Sequence, residues 1–312
     1  MLVSLVENFR KIGFLSSFRY YCINLVYMIY LTYNQNSGGR SGHKLKDIMS
    51  LFIFSFFIKN SICCSHPSWK LQKILKIKIE KSVTDIKYDT LLKINDVIEW
   101  DGISHEKFKE IIENIKNNHS SGKKLLVEFS NVCRIHPSTL HNWYIEKLIH
   151  QDTFNKKFLP LIKKFYYGIK TPVLKNQVSI HVRRGDIAKK IIKSGFDKKY
   201  YSNIINILNK HYDIPICIFS ENENSDDLLE LRSLKNTTIH LGGADEMKSH
   251  FYEMVTSKFL ILSASSFSSW AAYISIGKIF YQKNCIKHFH HLQLPKNFFE
   301  YKNRLDPVLN KI

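Results

Sequence analysis

The carboxyl-terminal half of the chain alternates between short apolar strands and amphipathic helices, and this alternation most constrains the fold. Strands are predicted at residues 177–182, 214–220, 238–241, 259–262 and 278–281. A helical pattern follows each of the first four. Strands that alternate with helices form a parallel sheet with helices on both faces, and such sheets bind their ligands at the carboxyl ends of the strands. We therefore expect an α/β fold with its functional residues at strand ends.

The amino-terminal half contains one clear unit of a strand followed by a helix. Residues 24–33 are rich in Val, Ile and Tyr, which predicts a strand, and a polar loop with three closely spaced glycines follows it. Apolar residues at helical spacing come next. A strand, a glycine loop and a helix in this order present backbone N–H groups to a phosphate. We predict an amino-terminal α/β domain at 20–171, a carboxyl-terminal domain at 172–290 and a tail at 291–312.

The net charge of +19 raises the question of an anionic partner. The positive residues are dispersed, no run of five basic residues occurs, and no basic face carries interleaved aromatic residues. We therefore expect no nucleic-acid partner. A compositional bias toward lysine explains most of the charge, and a localised anion site explains the rest.

The cysteines and the apolar segments bear on the compartment. The six cysteines form no C-x-x-C pair, so reduced and buried thiols are expected. The apolar stretches at 22–33 and 48–58 are too short to span a bilayer, which needs roughly 20 apolar residues. A cytoplasmic or peripherally membrane-associated protein is therefore expected, and the Golgi lumen stays open for a eukaryotic source. The oligomeric state is not indicated.

The segment "VSIHVRRGD" (178–186) leads a buried strand into two arginines. Successive side chains of a strand point to opposite faces, so only one of these arginines can face a crevice. Guanidinium groups bind phosphate through two parallel hydrogen bonds. We predict that one of the two arginines faces the crevice and that the other lies against the protein and pairs with an acid such as Asp186, with Gly185 allowing a sharp turn. An arginine pair in a surface ion-pair network explains these residues equally well.

A serine-rich turn, "ILSASSFSSW", joins a later strand to its helix. Ser265, Ser266 and Ser268 can offer O–H and N–H donors to a phosphate at the helix N-terminus. A simple serine N-cap is the alternative. The sequence has no D-x-D motif, and His288, His290 and His291 lack a partnering carboxylate pattern, so no divalent cation is expected.

These segments together resemble the GDP-fucose-dependent fucosyltransferases. "SIHVRRGD" resembles their H-x-R-R-x-D signature, and "GGRSGHK" resembles the glycine loop G-G-x-G-N-Q. "HFYEMVTSKFLILSASSFSSWAAY" resembles a later block with D-x-x-x-M, an apolar strand and N-S-[ST]-F-S-W-W. The blocks occur in order over residues 24–281, and the α-1,2-fucosyltransferase family is the most similar in pattern.

The resemblance implies a GT-B-like fold, with two Rossmann-like α/β domains that face a cleft. It implies transfer of fucose from GDP-fucose to a hydroxyl of a glycan acceptor, with inversion, without a metal or other cofactor, and with an α-1,2 linkage. The amino-terminal domain would carry the acceptor side, and the carboxyl-terminal domain would hold the nucleotide.

The resemblance also implies roles for particular residues. Arg183 would bind the β-phosphate, and Asp186 is the candidate base, although a dissociative mechanism with late deprotonation of the acceptor is equally open. Arg184 and Gly185 would give structural support. The implied donor-binding set comprises His181, Arg183, Gly39, Gly42, His43, Ser220, His250, Ser265, Ser266 and Ser268.

Four positions depart from the family pattern. His43 stands for Asn and Lys44 for Gln, while His250 stands for an Asp near the guanine and Ser269 for a Trp. A neutral histidine cannot accept two hydrogen bonds from guanine as a carboxylate can. Two alternatives therefore stay open, namely transfer from another nucleotide sugar and a non-catalytic glycan- or nucleotide-binding relative.

Overall fold

The computed structural model describes residues 29–34, 51, 54–55, 57–58, 60–67, 79, 81–95, 105–119, 123–129, 156, 159–167, 172–184, 188–221, 226–243, 246–282 and 296–300. Within this part of the chain the strands form two sheets, and every strand pairing is parallel. The predicted α/β class is confirmed.

The first sheet has four strands in the order β2-β1-β4-β3. They are β1 (Ile29–Tyr33), β2 (Ser61–Cys63), β3 (Thr90–Ile94) and β4 (Leu125–Phe129). The central strands β1 and β4 are almost wholly apolar and buried, as expected for parallel strands that are covered on both faces. Helix α1 (His105–Asn118) contributes one apolar stripe to this core, formed by Phe108, Ile111, Ile112 and Ile115.

The second sheet has six strands in the order β10-β9-β8-β5-β6-β7. They are β5 (Lys175–His181), β6 (Ile216–Ser220), β7 (Thr237–Leu241), β8 (Ser257–Ile261), β9 (Lys278–Tyr281) and β10 (Phe298–Glu300). Counted within the sheet, this is the Rossmann order 3-2-1-4-5-6. The first five strands lie within two residues of their predicted limits.

Helix α2 (Leu159–Tyr167) precedes the second sheet. The helices that connect its strands are α3 (Ala188–Lys193), α4 (Lys198–His211), α5 (Asp226–Arg232), α6 (Met247–Thr256) and α7 (Ser266–Ile274). The best-defined boundary is that of α4, where the Asp197 carboxylate accepts the Tyr200 N–H at 3.0 Å. The same helix buries an apolar stripe against the sheet that includes Tyr201, Ile204 and Leu208.

The two faces of strand β5 contact different helices. On one face, the Ser179 hydroxyl donates to the Glu253 carbonyl of α6 at 3.4 Å. On the other face, the Arg184 guanidinium that follows the strand lies over the Tyr201 ring of α4, with 5.7 Å between its central carbon and the ring centroid. The odd-numbered side chains of this segment therefore face α6, and the even-numbered ones face α4.

Two features bear on the predicted domain limits. Helix α2 lies before residue 171, but it contacts α7 of the second half: the Tyr167 hydroxyl donates to the Ile274 carbonyl at 2.9 Å, and the Lys163 ammonium donates to the Ser275 carbonyl at 3.2 Å. Strand β10 lies within the predicted tail and extends the second sheet. The division at 171/172 and 290/291 stays a prediction.

Cys63 and Cys64 are buried free thiols, as predicted, whereas Cys217 is a free thiol that is only half-buried. Burial raises the pKa of Cys63 and of Cys64 to about 12, so both stay protonated at neutral pH. Among the described residues, none of the helices combines the length and the apolar character needed to cross a membrane.

Candidate functional site

The candidate site lies at the carboxyl edge of the second sheet, where the strand order reverses. Strand β5 pairs with β6 on one side and with β8 on the other. The chain proceeds outward from β5 toward β7, then returns to the centre and proceeds outward again from β8. Open parallel sheets bind ligands in the crevice that this switch point creates. His181 and Ser263 meet here, with 2.9 Å between the His181 Nδ1 and the Ser263 Oγ.

His181 is a buried polar side chain of the site. It is 4% exposed, and burial lowers its pKa to about 3, with the Arg183 cation and His250 acting in the same direction. The imidazole is therefore neutral at pH 7. Its ring also lies near the Phe267 ring, with 5.9 Å between centroids, which connects the end of β5 to the start of α7.

The two arginines occupy different faces of the sheet, as the strand alternation predicts. Arg184 is 1% exposed, covers the Tyr201 ring, and donates from its Nη1 to the Arg183 carbonyl at 2.9 Å. Arg183 is 6% exposed and lies close enough to His181 to lower its pKa. The Arg183 Nη1 forms an ion pair with the Glu221 carboxylate, which directly follows β6.

An aromatic cluster flanks this ion pair on the same face. The Phe219 ring stacks on His240, with 5.1 Å between centroids, and lies 4.9 Å from His250. Burial lowers the pKa of His250, and positive charge at His240 acts in the same direction. Gly242 lies in the connection between β7 and α6, close to His250. A Cβ atom at this position would lie only 2.8 Å from the His250 Cε1, so glycine permits this close approach. The neutral His250 imidazole thus lies on the same face of the sheet as the arginine.

The serine-rich turn stabilises its own helix. The Ser265 Oγ accepts the Phe267 N–H at 3.3 Å as the N-cap of α7. The Ser268 hydroxyl donates to the carbonyls of Ser263 and Ser265, at 3.3 and 3.2 Å. The Ser269 hydroxyl donates to the Ser265 carbonyl at 2.8 Å. The N-cap alternative is confirmed for Ser265, and contact of these serines with phosphate stays a prediction.

The structure brings several predicted residues together at one edge of the sheet, namely His181, Arg183, Ser220, His250, Ser265 and Ser268. The Ser220 hydroxyl is buried and, among the described residues, has no hydrogen-bond partner. Strand alternation places it on the face opposite Phe219. Other predicted positions lie outside the described residues: Gly39, Gly42, His43, Gly185, Asp186 and the side chain of Ser266.

The residues of the site that were missed by the sequence analysis include Phe219, Glu221, His240 and Ser263. Each lies at or just after the carboxyl end of a strand, and that position was the signal that could have identified them. In the described ranges, no group of three or more His, Cys, Asp or Glu side chains is arranged to hold a metal ion.

The arrangement suits an anionic ligand. A buried guanidinium, the N-terminus of α7 and neutral histidines meet at a switch point, and both guanidinium groups and helix N-termini favour phosphate. The ring faces of Phe219, His240 and His250 offer an apolar, aromatic surface beside it.

Two solved structures resemble the chain at low identity. The fucosyltransferase NodZ from Bradyrhizobium is 11% identical, with a TM-score of 0.39, and the match covers 80% of this chain and 92% of that chain. The E. coli heptosyltransferase WaaC with ADP is 11% identical, with a TM-score of 0.47, and the match covers 91% and 97%. Likeness at this level carries no argument about the site. A comparison with curated proteins gives no significant match.

A family model matches the chain over residues 128–291, which is just over half of its length. Its description is glycosyl transferase family 11, and the matched segment runs from the end of β4 past β9, so it contains every described residue of the candidate site. The family predicted from the H-x-R-R-x-D segment is thereby confirmed, and the parallel strand order of the second sheet confirms the α/β part of the predicted GT-B-like fold class. The chain belongs to glycosyl transferase family 11 and is a glycosyltransferase.

Proposed function

We propose that the chain transfers fucose from GDP-fucose to a hydroxyl of a glycan acceptor, with inversion, without a metal, and with an α-1,2 linkage. The family match supports the reaction class. The single observation that supports this donor site is the Arg183 guanidinium, which is buried at the switch point on the same face as His181. A fixed cation at this place can bind the diphosphate that a metal ion binds in other transferases.

In this proposal the β-phosphate binds to Arg183, and the N-terminus of α7 adds N–H donors. The negative charge on the leaving diphosphate grows as the glycosidic bond breaks. Preorganised cations and N–H groups then bind the transition state more strongly than the ground state. The nucleoside extends toward Phe219 and His250, with His181 as the neutral floor of the pocket.

The transfer step is a displacement at the anomeric carbon of fucose. The acceptor oxygen forms a bond to this carbon, the bond to the β-phosphate oxygen breaks, and its electron pair leaves with GDP. The acceptor proton passes to the Asp186 carboxylate or, in a dissociative course, is released late to solvent. The first route assigns general-base catalysis to Asp186, whereas the second needs no basic side chain.

The remaining predicted contacts complete the proposal. Ser265, Ser266 and Ser268 bind near the phosphates, with Ser268 acting through the turn that it stabilises. Ser220 stays a predicted donor contact at the end of β6, although strand alternation places it on the face opposite Phe219. Gly39, Gly42 and His43 approach the donor from the amino-terminal half, which carries the acceptor side. Arg184 and Gly185 hold the turn after β5.

A nucleotide panel tests the donor class. A ligand that binds only the folded state raises the free energy of unfolding by RT ln(1 + [L]/Kd), which is about 2.7 kcal/mol at a hundredfold excess over Kd. The melting temperature rises with it. We expect GDP to raise it and UDP and ADP to leave it unchanged. Transfer assays with GDP-fucose and GDP-mannose then test the sugar. A shift with UDP or ADP alone would contradict the proposal.

Replacement of Arg183 tests the residue that the proposal depends on. Arg183→Ala should lower the transfer rate by about 10²–10³-fold, because it removes one donor to the developing oxyanion. It should also abolish the GDP-induced shift in melting temperature. Arg232→Ala is the matched control, since Arg232 is an exposed arginine at the end of α5. Fucose transfer by Arg183→Ala at the wild-type rate would show that the assignment is wrong.

A second candidate function is transfer from another nucleotide sugar. The observation that favours it is the nature of His250, whose lowered pKa makes it a neutral side chain against Phe219. A neutral imidazole offers one acceptor atom where guanine presents two donors. The same nucleotide panel decides between the two functions.

A further inference from the structure

The Arg183 guanidinium, which the proposed function assigns to the donor diphosphate, is in contact with a carboxylate of the same chain. The Arg183 Nη1 forms an ion pair with the Glu221 Oε1. The two residues follow the ends of neighbouring parallel strands, since His181 pairs in register with Phe219. Their odd positions place them on the same face of the sheet. The Glu221 carboxylate is therefore the group paired with the Arg183 guanidinium at the carboxyl edge of the sheet.

The two partners differ in their access to solvent. The Arg183 side chain is 7% exposed, whereas the Glu221 side chain is 40% exposed. A buried guanidinium without a counter-charge carries a large desolvation cost. A carboxylate that is already partly hydrated can return to water at a much smaller cost. The pair is therefore built so that the arginine stays in place and the carboxylate is the partner that can leave.

We propose that Glu221 is a displaceable counter-ion of the donor site. It neutralises Arg183 when the site is empty, and the diphosphate of the incoming nucleotide replaces it. This inference rests on the proposed function, because it takes a nucleoside diphosphate group as the ligand of Arg183. After transfer, Glu221 returns to the guanidinium and competes with the bound nucleoside diphosphate, which speeds release of the product.

A fixed role for Glu221 predicts the opposite behaviour. If the carboxylate stayed on Arg183 and oriented it for the ligand, its removal would weaken diphosphate binding. If it is displaced, its removal strengthens binding, because the ligand no longer competes with it. The direction of the change in affinity therefore separates the two roles.

The experiment compares Glu221→Gln with the wild type and with Glu230→Gln. Glu230 is a charge-matched control, because it pairs with Lys198 on the surface between α4 and α5. Binding of GDP and of inorganic pyrophosphate is measured by calorimetry, and the melting temperature is measured with and without each. Glu221→Gln should bind both probes about tenfold more tightly than the wild type. Its melting temperature should be lower without ligand and should rise more on binding, while Glu230→Gln should bind both probes as the wild type does.

The possible outcomes are distinct. Equal or weaker binding of GDP and pyrophosphate by Glu221→Gln, with normal binding by the wild type, would overturn the inference and leave the proposed function intact. Failure of both proteins to bind either probe would overturn both. If Glu221→Gln does not fold, Glu221→Asp serves instead, since its shorter side chain weakens the ion pair and should tighten binding by a smaller factor. Unchanged or weaker binding by that variant would equally overturn the inference.

Discussion

The two faces of the second sheet use neighbouring arginines in different ways. On the α4 face, Arg184 is 1% exposed and lies over the Tyr201 ring. On the α6 face, Arg183 pairs with a carboxylate that is itself 40% exposed. The guanidinium is the same in both cases, but the Glu221 partner of Arg183 is one that solvent and ligands can reach. The position of the partner, rather than the burial of the arginine, indicates which side chain is available for binding.

The largest effect on stability is expected when Arg184 is replaced. Arg184→Ala removes a large, fully buried side chain together with its contact over Tyr201 and its hydrogen bond to the Arg183 carbonyl. We expect the free energy of unfolding to fall by about 2–5 kcal/mol, as in other large-to-small replacements of buried side chains. Denaturant unfolding measures this change.

The control for this prediction is Arg184→Lys, which keeps the charge but loses the planar group that covers the Tyr201 ring. It should show an intermediate loss of stability. At ligand concentrations where both variants are folded, GDP binding should stay within a few-fold of the wild type. Wild-type stability in Arg184→Ala, combined with loss of GDP binding, would reverse the roles that the two faces assign to the arginines.

The division between the arginines could be predicted from the sequence because strand alternation is a local property. An apolar segment that leads into Arg183 and Arg184 fixes their opposite directions whatever the rest of the fold. The parallel α/β class was likewise predictable from the alternation of elements. A helical pattern was predicted after the first strand of the second sheet, and α4 follows it there, since its apolar stripe and its Asp197 cap are both local signals.

The partner of Arg183 could not be predicted, because it depends on which strands are neighbours. Glu221 is separated from Arg183 by all of α3, α4 and β6, and only the pairing of β5 with β6 brings the two together. The contact between His181 and Ser263 depends in the same way on the pairing of β5 with β8. Strand order depends on contacts between segments that are far apart in the chain, and the local patterns of one sequence do not determine it.

The pH dependence of stability tests the interior of the α6 face. The pKa of His181 is about 3 in the folded protein and 6.5 in the reference state. Above pH 6.5 the imidazole is neutral in both states, and its contribution to stability is complete. Below pH 6.5 the unfolded chain binds a proton that the folded protein excludes. The contribution of His181 to the free energy of unfolding should therefore fall by about 1.4 kcal/mol for each pH unit below 6.5, down to about pH 3.

His181→Gln should remove most of this slope in denaturant unfolding measured between pH 6.5 and about 5. His250→Gln is the control, because burial lowers the pKa of His250 as well, but this side chain is only half-buried. It should flatten the profile less. An unchanged slope in His181→Gln would show that the proton is taken up elsewhere, and it would place His181 in a more polar environment than the α6 face provides.

The smallest effect is expected at Ser265, where structural and ligand roles can be separated. Ser265→Ala removes the side-chain acceptor of the Phe267 N–H and should lower the free energy of unfolding by about 1 kcal/mol. Ser265→Asp and Ser265→Asn both restore an N-cap of similar quality, so both should keep the wild-type stability.

The two restored caps differ in charge, and that difference tests whether the start of α7 faces the diphosphate. A carboxylate at position 265 would repel the phosphates, so Ser265→Asp should bind GDP several-fold more weakly at low salt and recover as salt screens the repulsion. Ser265→Asn should bind GDP as the wild type does if the serine acts only as a cap. Equal GDP binding by the Asp and Asn variants would place the diphosphate away from α7. Weak binding by both would show that the serine hydroxyl itself contacts the donor, because the cap and the helix are then intact while the binding is not.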